Sequence, residues 1–250
     1  MDTTLWRAAG ATVSSAGVLV AGERLERVLA MLSAGGEGQV FARGLCETVT
    51  AGLRVSGTGV MLMSGEVAYG SLCTTNEVSR VIEELQYSLG EGPCVDAYKQ
   101  DRVISEPDLA DPATARWSAF AAAALQVGAR AVFAFPLRVG AVRLGALDLY
   151  TDRPGHLSDD QHADALVIAD VVASWVLDSQ ARAPLGGVAA ALDADADFHL
   201  VAHNAAGMVS IQLGVSVTEA MLRLRAYAFG HGRPLTSVAE DVVERRLRFE

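Results

Sequence analysis

The chain has 250 residues, a mass of 26.2 kDa, 51% hydrophobic residues and a formal net charge of −10. That leaves room for one ordinary domain and a small companion, and it excludes a disordered chain. The negative charge works against wholesale adhesion to nucleic acid or to an anionic membrane.

No apolar run approaches the roughly twenty residues of a membrane span, and the first residues lack the charged start, long apolar stretch and cleavage site of a leader. The expectation is a cytoplasmic protein with no membrane attachment. Three cysteines, Cys46, Cys73 and Cys94, show no CxxC spacing. They fit a reducing compartment and argue against a disulfide framework or a zinc site.

Taken in chain order, residues 1–22 show no strong period and are expected to be of low order. Arg24–Leu32 and Gly38–Leu53 have helical periodicity, the second with Phe41, Leu45 and Val49 at four-residue steps. Gly59–Met63 and Glu66–Cys73 read as strands joined at Ser64-Gly65. Asn76–Leu89 is helical and stops at Gly90-Glu91-Gly92-Pro93. Arg102–Ser105 is a short strand and Trp117–Val127 a helix. Ala131–Arg138 and Val142–Tyr150 are long strands hinged at Gly140. Ser158-Asp159-Asp160-Gln161 is a capping box, in which side chains satisfy free backbone N–H groups, and it opens a helix to about Ser179. Pro184 and Gly186-Gly187 mark a linker within 181–195.

The last stretch reads as three short helices. The first runs from about Phe198 to Leu213 and ends at Gly214. The second opens with the capping box Ser216–Glu219 and closes at Gly230 and Gly232, where a left-handed cap costs least. After Pro234, a further box, Ser237–Glu240, is expected to open the third. A unit this small rarely stands alone.

An antiparallel sheet flanked by helices, followed by a small all-α unit, is an α+β architecture. Two resemblances refine it. The residues Ala205-x-Gly207-Met208, Gln212, Ala220, Leu224-Arg225, Ala228, Leu235, Val238-Ala239 and Val242 resemble the ANTAR domain, a three-helix RNA-binding module of bacterial transcription antiterminators. Many members carry lysine where this chain has Ala206, so that contact is absent here. The stretches Leu89–Tyr98 (LGEGPCVDAY), Val103–Leu109 and Gly145–Tyr150 resemble the GAF domain, a small-molecule sensory fold. LGEGPC is common in GAF domains attached to ANTAR modules, so the two resemblances support each other. They imply a GAF-like sensor over 23–180, a linker over 181–195 and an ANTAR-like domain over 196–250.

Taken without the family, the RNA-binding signal is local. His199–Glu250 holds six arginines against five acidic residues, net +1, so the rest of the chain carries −11. On the second helix Ala220, Leu224 and Ala228 form the core stripe. Arg223 lies one turn from Tyr227, a guanidinium for phosphate beside a ring for an unpaired base; an ordinary surface pair fits equally. Arg225 stands about 160° from Arg223 around the helix, so the two cannot clamp the same phosphate, and it serves either RNA or an internal salt bridge. His231 and Arg233 at the next joint complete the candidate set. On the third helix Glu240, Asp241 and Glu244 would repel a phosphate backbone, and Arg245, Arg246 and Arg248 complement its C-terminus.

In the sensor, the glycines of GEGPC serve tight turns or present N–H groups to an anion. Cys94 is either a redox sensor or a buried inert thiol. Glu91, Asp96, Glu106, Asp108 and Asp111 gather in sequence without the regular spacing of a calcium loop and are taken as solvated. His156 and His162 are taken as surface residues. The Asn-Lys-Phe-Asp-Glu signature of cyclic-nucleotide GAF domains is absent, and the sequence names no cofactor. The helix after Ser158 carries Ala165, Ile168, Val172 and Trp175 on one stripe with Leu166, Val167 and Val171 on others. That is either full burial or the seam of a parallel homodimer.

The reading is a signal-responsive antitermination regulator that binds RNA stem-loops and performs no enzymatic reaction, with a small-molecule ligand in the GAF domain. The signal is expected to act through the Ser158–Ser179 helix. The alternative is a cysteine-dependent redox sensor or free methionine sulfoxide reductase, which needs a nucleophilic thiolate and a nearby resolving cysteine. A third reading, duplex DNA binding through Leu235–Phe249, is opposed by the acids on that helix.

Overall fold

The computed structural model describes residues 15–33, 39–64, 67–111, 116–182 and 196–250. The start of the N-terminal segment, the Ser64-Gly65 turn and most of the linker lie outside the described residues. The elements are α1 (Ser15–Ser33), α2 (Gln39–Leu53), β1 (Gly57–Ser64), β2 (Val67–Thr74), α3 (Glu77–Leu89), α4 (Pro93–Gln100), β3 (Ile104–Glu106), α5 (Ser118–Gln126), β4 (Ala131–Val139), β5 (Val142–Thr151), α6 (Asp159–Arg182), α7 (Ala196–Leu213), α8 (Val217–Gly230) and α9 (Leu235–Val243).

The five strands form one antiparallel sheet in the order β2-β1-β5-β4-β3. Strand alternation sends Val60 and Leu62 to one face and Met61 and Met63 to the other. On the first face, α1, α2 and α6 close an apolar core. Leu45 and Val49 of α2 and Ala165, Ile168 and Val172 of α6 meet Phe133 and Phe135 of β4 and Leu147 and Leu149 of β5. Arg24 of α1 ties this layer down by pairing with Asp164 at 2.5 Å and Asp160 at 2.9 Å on α6. On the second face lie α3, α4 and α5, with Ile82, Tyr87, Tyr98 and Phe120 against Val132, Ala146 and Tyr150.

Local signals explain the ends. Asn76 caps α3, accepting from the Ser79 N–H at 3.0 Å, and Gly90 closes it in the left-handed region at φ 66°. The Ser158 box is complete: Gln161 N–H donates to Ser158 Oγ at 3.2 Å, and Ser158 N–H donates to Gln161 Oε1 at 2.8 Å. Gly145 has no space for a side chain, since a Cβ would stand 1.9 Å from the Met61 carbonyl oxygen across the β1–β5 pairing.

Helix α1 begins at Ser15, inside the N-terminal segment, where the sequence leaves room for a short helix. Two expectations are corrected. Helix α9 begins at Leu235 after Pro234, with no side-chain cap; the proline fixes the entry, and Ser237 and Glu240 fall inside the helix. Cys46 of α2 and Cys73 of β2 are joined by a disulfide. Their separation of 27 residues follows no motif, so only the pairing of α2 with the edge strand brings them together.

The C-terminal helices form a small bundle. Helices α7 and α8 meet at 105° around Gly214, and α9 packs on both. Ala205, Ala220, Leu224, Ala228, Leu235, Val238, Ala239 and Val242 are buried in its centre. Ala206 is buried too. The bundle rests on the second face of the sheet domain, α7 beside β2 and α8 beside α3. No single helix among the described residues is long and apolar enough to cross a membrane.

Candidate functional site

The second face differs chemically from the first. In α3, the stripe that faces the sheet includes Glu83 and Gln86 alongside Ile82 and Tyr87. In β5, Asp148 stands between Ala146 and Tyr150 on the same face, and Cys94 enters from the first turn of α4. Gln86 holds the group together: its Oε1 accepts the Cys94 N–H at 2.7 Å and its Nε2 donates to Asp148 Oδ2 at 3.1 Å. Helix α4 has Gly92 as its cap residue and no side-chain cap, so Gln86 supplies the missing acceptor at its start.

Glu83 and Asp148 are both solvent-excluded, and as two carboxylates they would leave both Glu83 oxygens and Asp148 Oδ1 without a donor. A single proton on Glu83, donated to Asp148, satisfies Asp148 and one of the two Glu83 oxygens. Burial, and then the charge of Asp148, push the Glu83 carboxyl well above its ordinary range. Burial raises Asp148 to about 6, while hydrogen bonds from Glu83, Gln86 and Cys94 draw it back down. The pair occupies space that glycine provides: a Cβ at Gly59 would lie 2.2 Å from Glu83 Oε1.

Of the two readings of Cys94, the geometry supplies the burial. Cys94 is fully buried, and burial followed by the neighbouring Asp148 and Glu83 charges pushes its thiol upward. The disulfide pair Cys46–Cys73 belongs to the other face of the sheet. Cys94 therefore has neither an activating cation nor a resolving cysteine beside it.

The glycines of GEGPC have the structural role. Gly90 caps α3, and Gly92, at φ 132°, leaves room for Gln86, whose Oε1 would be 2.7 Å from a Cβ. The acids around them are dispersed. Glu91 Oε1 accepts the Phe120 N–H at 3.1 Å, Asp96 Oδ2 accepts the Trp117 indole N–H at 3.2 Å, and Asp108 Oδ1 accepts the Ala110 N–H at 3.0 Å. Asp111 is exposed, whereas Glu106 is buried, contrary to the expectation of a solvated acid. No metal-holding group of three or more His, Cys, Asp or Glu exists among the described residues. His156 and His162 are exposed, as expected, with the His162 ring edge-on to Phe135.

On the C-terminal bundle, the five RNA candidates are not one surface. Arg223 is exposed and pairs with Glu219 at 2.7 Å, one turn earlier. Tyr227 does not stack on Arg223. It stacks on His231, with ring centroids 3.9 Å apart and planes at 18°, and His231 Nδ1 lies 2.8 Å from the Tyr227 carbonyl oxygen. Arg233 binds Asp241 at 2.6 Å, and Arg246 binds the other oxygen of that carboxylate at 2.7 Å. Asp241 is thus neutralised rather than repulsive, and Arg233 is committed to holding the joint.

Arg225 points the other way, to the sheet domain. Its guanidinium carbon is 5.6 Å from the centre of the Tyr87 ring, and a Cβ on Gly90 would stand 2.8 Å from its Nη1. The arginine lies against the C-terminal end of α3, where a cation is favoured, directly before the GEGP turn. The contact is with a ring and not with a carboxylate: no salt bridge of Arg225 is present among the described residues. Helix α6, the element through which the signal is expected to act, packs on β4, β5, α1 and α2.

Sequence reading missed Glu83, Gln86 and Asp148. Polar residues on the buried stripe of α3, and one acid inside an apolar strand, were the available signals.

Residues 38–174, more than half of the chain, match the model of the GAF domain, and the chain belongs to the GAF domain family. No curated protein matches the chain. Among solved structures, the chain is similar to the GAF domain of a phosphoenolpyruvate-protein phosphotransferase from Coxiella burnetii, at 14% identity over 68% of this chain and 98% of that one, with a TM-score of 0.49. It is also similar to a domain of a sensor histidine kinase protein from Sinorhizobium meliloti 1021, at 17% identity over 54% of this chain and 88% of that one, TM-score 0.45. A type II free methionine-R-sulfoxide reductase from Thermoplasma acidophilum is similar at 19% identity over 56% of this chain and 95% of that one, TM-score 0.43.

Proposed function

We propose that this protein is a signal-responsive RNA-binding antitermination regulator, in which the GAF domain restrains a C-terminal module that binds stem-loops in nascent leader RNA. The observation that carries this reading is the seat of Arg225 on Tyr87 and Gly90. One end of α3 holds the polar cluster of the sensor face, and its other side holds an arginine of the ANTAR-like pattern. Any ligand that rearranges the α3–α4 corner therefore changes the seat of the module.

The reading of the module as an RNA binder rests on the ANTAR resemblance. Most residues of that pattern are core residues, and Gln212 anchors the chain end by accepting the Phe249 N–H at 2.9 Å. Arg223 and the Tyr227–His231 stack remain on the outside of α8 for phosphate and base contacts. Release of Arg225 adds a second cation. No covalent step is involved: a signal shifts the population between seated and released modules by its differential affinity for the two. A parallel homodimer along α6 belongs to the same reading, since Leu166 on α6 and Leu25 on the neighbouring α1 are each more than two-fifths exposed.

The test is equilibrium binding of the full chain to a panel of paired stem-loop RNAs, with duplex DNA as control and a salt titration. Binding that prefers RNA and is lost in Arg223→Ala/Tyr227→Ala is the expected result. Equal binding of duplex DNA, or a double variant that binds as the wild type does, would refute the reading.

A further inference from the structure

Between the end of α3, the body of α4 and the first turns of α8 lies a cavity of about 550 Å³. Its apolar wall includes Leu89, Val95 and Leu222, and two cations, Lys99 and Arg225, line it as well. The volume falls in the range of small-molecule sites. Its electrostatics are unbalanced. Arg225 is half-buried, its Nε is solvent-excluded without a hydrogen-bond partner, and no carboxylate pairs with it among the described residues. Burial lowers its pKa. Lys99, the chain's single lysine, also has no carboxylate partner among the described residues. The one acid on the wall, Glu219, is taken by Arg223 at 2.7 Å.

A partly desolvated guanidinium that rests on the Tyr87 ring and has no carboxylate partner among the described residues can still accept a counter-charge, and this one faces a cavity with a second cation and an apolar side. We propose that this cleft is a binding site for a small organic anion, an apolar body carrying one carboxylate, sulfonate or phosphate group. The anionic group sits between Arg225 and Lys99, and the body lies on Leu89, Val95 and Leu222. The site is distinct from the interior of the GAF sheet domain, because α8 supplies one of its walls. An occupant touches the sensor domain and the C-terminal module at once, so it reports on their contact. The site stands on its own geometry and does not depend on whether the module binds RNA.

The test uses the full-length protein and two dyes of the same shape, anilinonaphthalene sulfonate and its uncharged analogue N-phenylnaphthylamine. Saturable binding of one sulfonate dye per chain is expected, with the uncharged dye weaker. Arg225→Met and Lys99→Met should each weaken the sulfonate dye by at least about tenfold, as expected for losing a charge-assisted contact. Arg153→Met, on an exposed loop away from the cleft, should leave binding unchanged. Lys99 is exposed, so its variant keeps the test decisive should Arg225→Met fail to fold. The proposal is overturned if the wild type does not bind the sulfonate dye saturably, if both dyes bind equally, or if Lys99→Met binds as the wild type does. RNA binding is read in a separate assay, so failure of either proposal is distinguishable from failure of the other.

Discussion

The two faces of the sheet are built from the same strands and do different work. The face under α1, α2 and α6 is packed with Leu, Val, Ile and Phe and closed by a disulfide. The face under α3, α4 and α5 has a comparable apolar core, but it also buries Glu83, Gln86 and Asp148 and carries the module that seats Arg225. Burying polar groups costs stability unless they are paired. The first face buries the small hydroxyl of Thr58, paired with Thr50 of α2. The buried carboxyl groups Glu83 and Asp148 lie on the second, so an almost wholly apolar layer is set apart from one that carries titratable groups.

That contrast fixes how substitutions should sort. On the apolar face, Phe133→Ala removes a fully buried ring and should cost about 3–5 kcal/mol in urea unfolding. Next, Cys46→Ser/Cys73→Ser, or reduction of the wild type, opens a loop spanning 27 residues and should cost about 3–4 kcal/mol. A denaturation midpoint insensitive to reductant would show that this bond does not hold α2 to the edge strand.

The polar face should behave in the opposite sense. A carboxyl raised by folding favours the native state while protonated. The contribution of Asp148 is therefore complete below its unfolded value and lost as pH rises through about 6. Glu83 is raised in the same direction and extends the loss further upward. The wild type should be less stable at pH 8 than at pH 5, by about 1–2 kcal/mol from Asp148, the rest of its effect having been lost below pH 5. Glu83→Gln/Asp148→Asn should flatten that slope and be the more stable protein at pH 8. Melting both proteins across this range checks it, and equal slopes would contradict the shared proton. The smallest effect on stability is expected from Arg223→Ala alone, an exposed residue, under about 1 kcal/mol; Tyr227→Ala also removes ring contacts with His231 and Phe249.

Much of the fold was legible before the structure because it rests on local rules. The Asn76–Leu89 helix, its glycine stop, the Ser158 box and the core stripe Ala220–Leu224–Ala228 all follow from period and capping within a few residues. What was not legible depends on distance in the chain. Glu83 and Asp148 meet only after β5 has paired with β1, and Cys46 meets Cys73 only when α2 lies on the sheet. Arg225 was correctly placed on a different side of α8 from Arg223, but nothing local distinguished RNA from Tyr87 as its destination. The Ser237–Glu240 box failed because it obeys the pattern while Pro234 starts the helix earlier.

The most direct measurement is the stem-loop RNA affinity of the full chain with Gly90 changed to Ala. At φ 66°, the added methyl would stand 2.8 Å from Arg225 Nη1, so the guanidinium must shift on its seat while Arg223, Tyr227 and His231 keep their places. The left-handed cap itself should cost only about 1 kcal/mol. If the GAF domain restrains the module through this contact, Gly90→Ala should bind stem-loop RNA more tightly than the wild type. Unchanged or weaker binding by a folded Gly90→Ala protein would contradict the restraint.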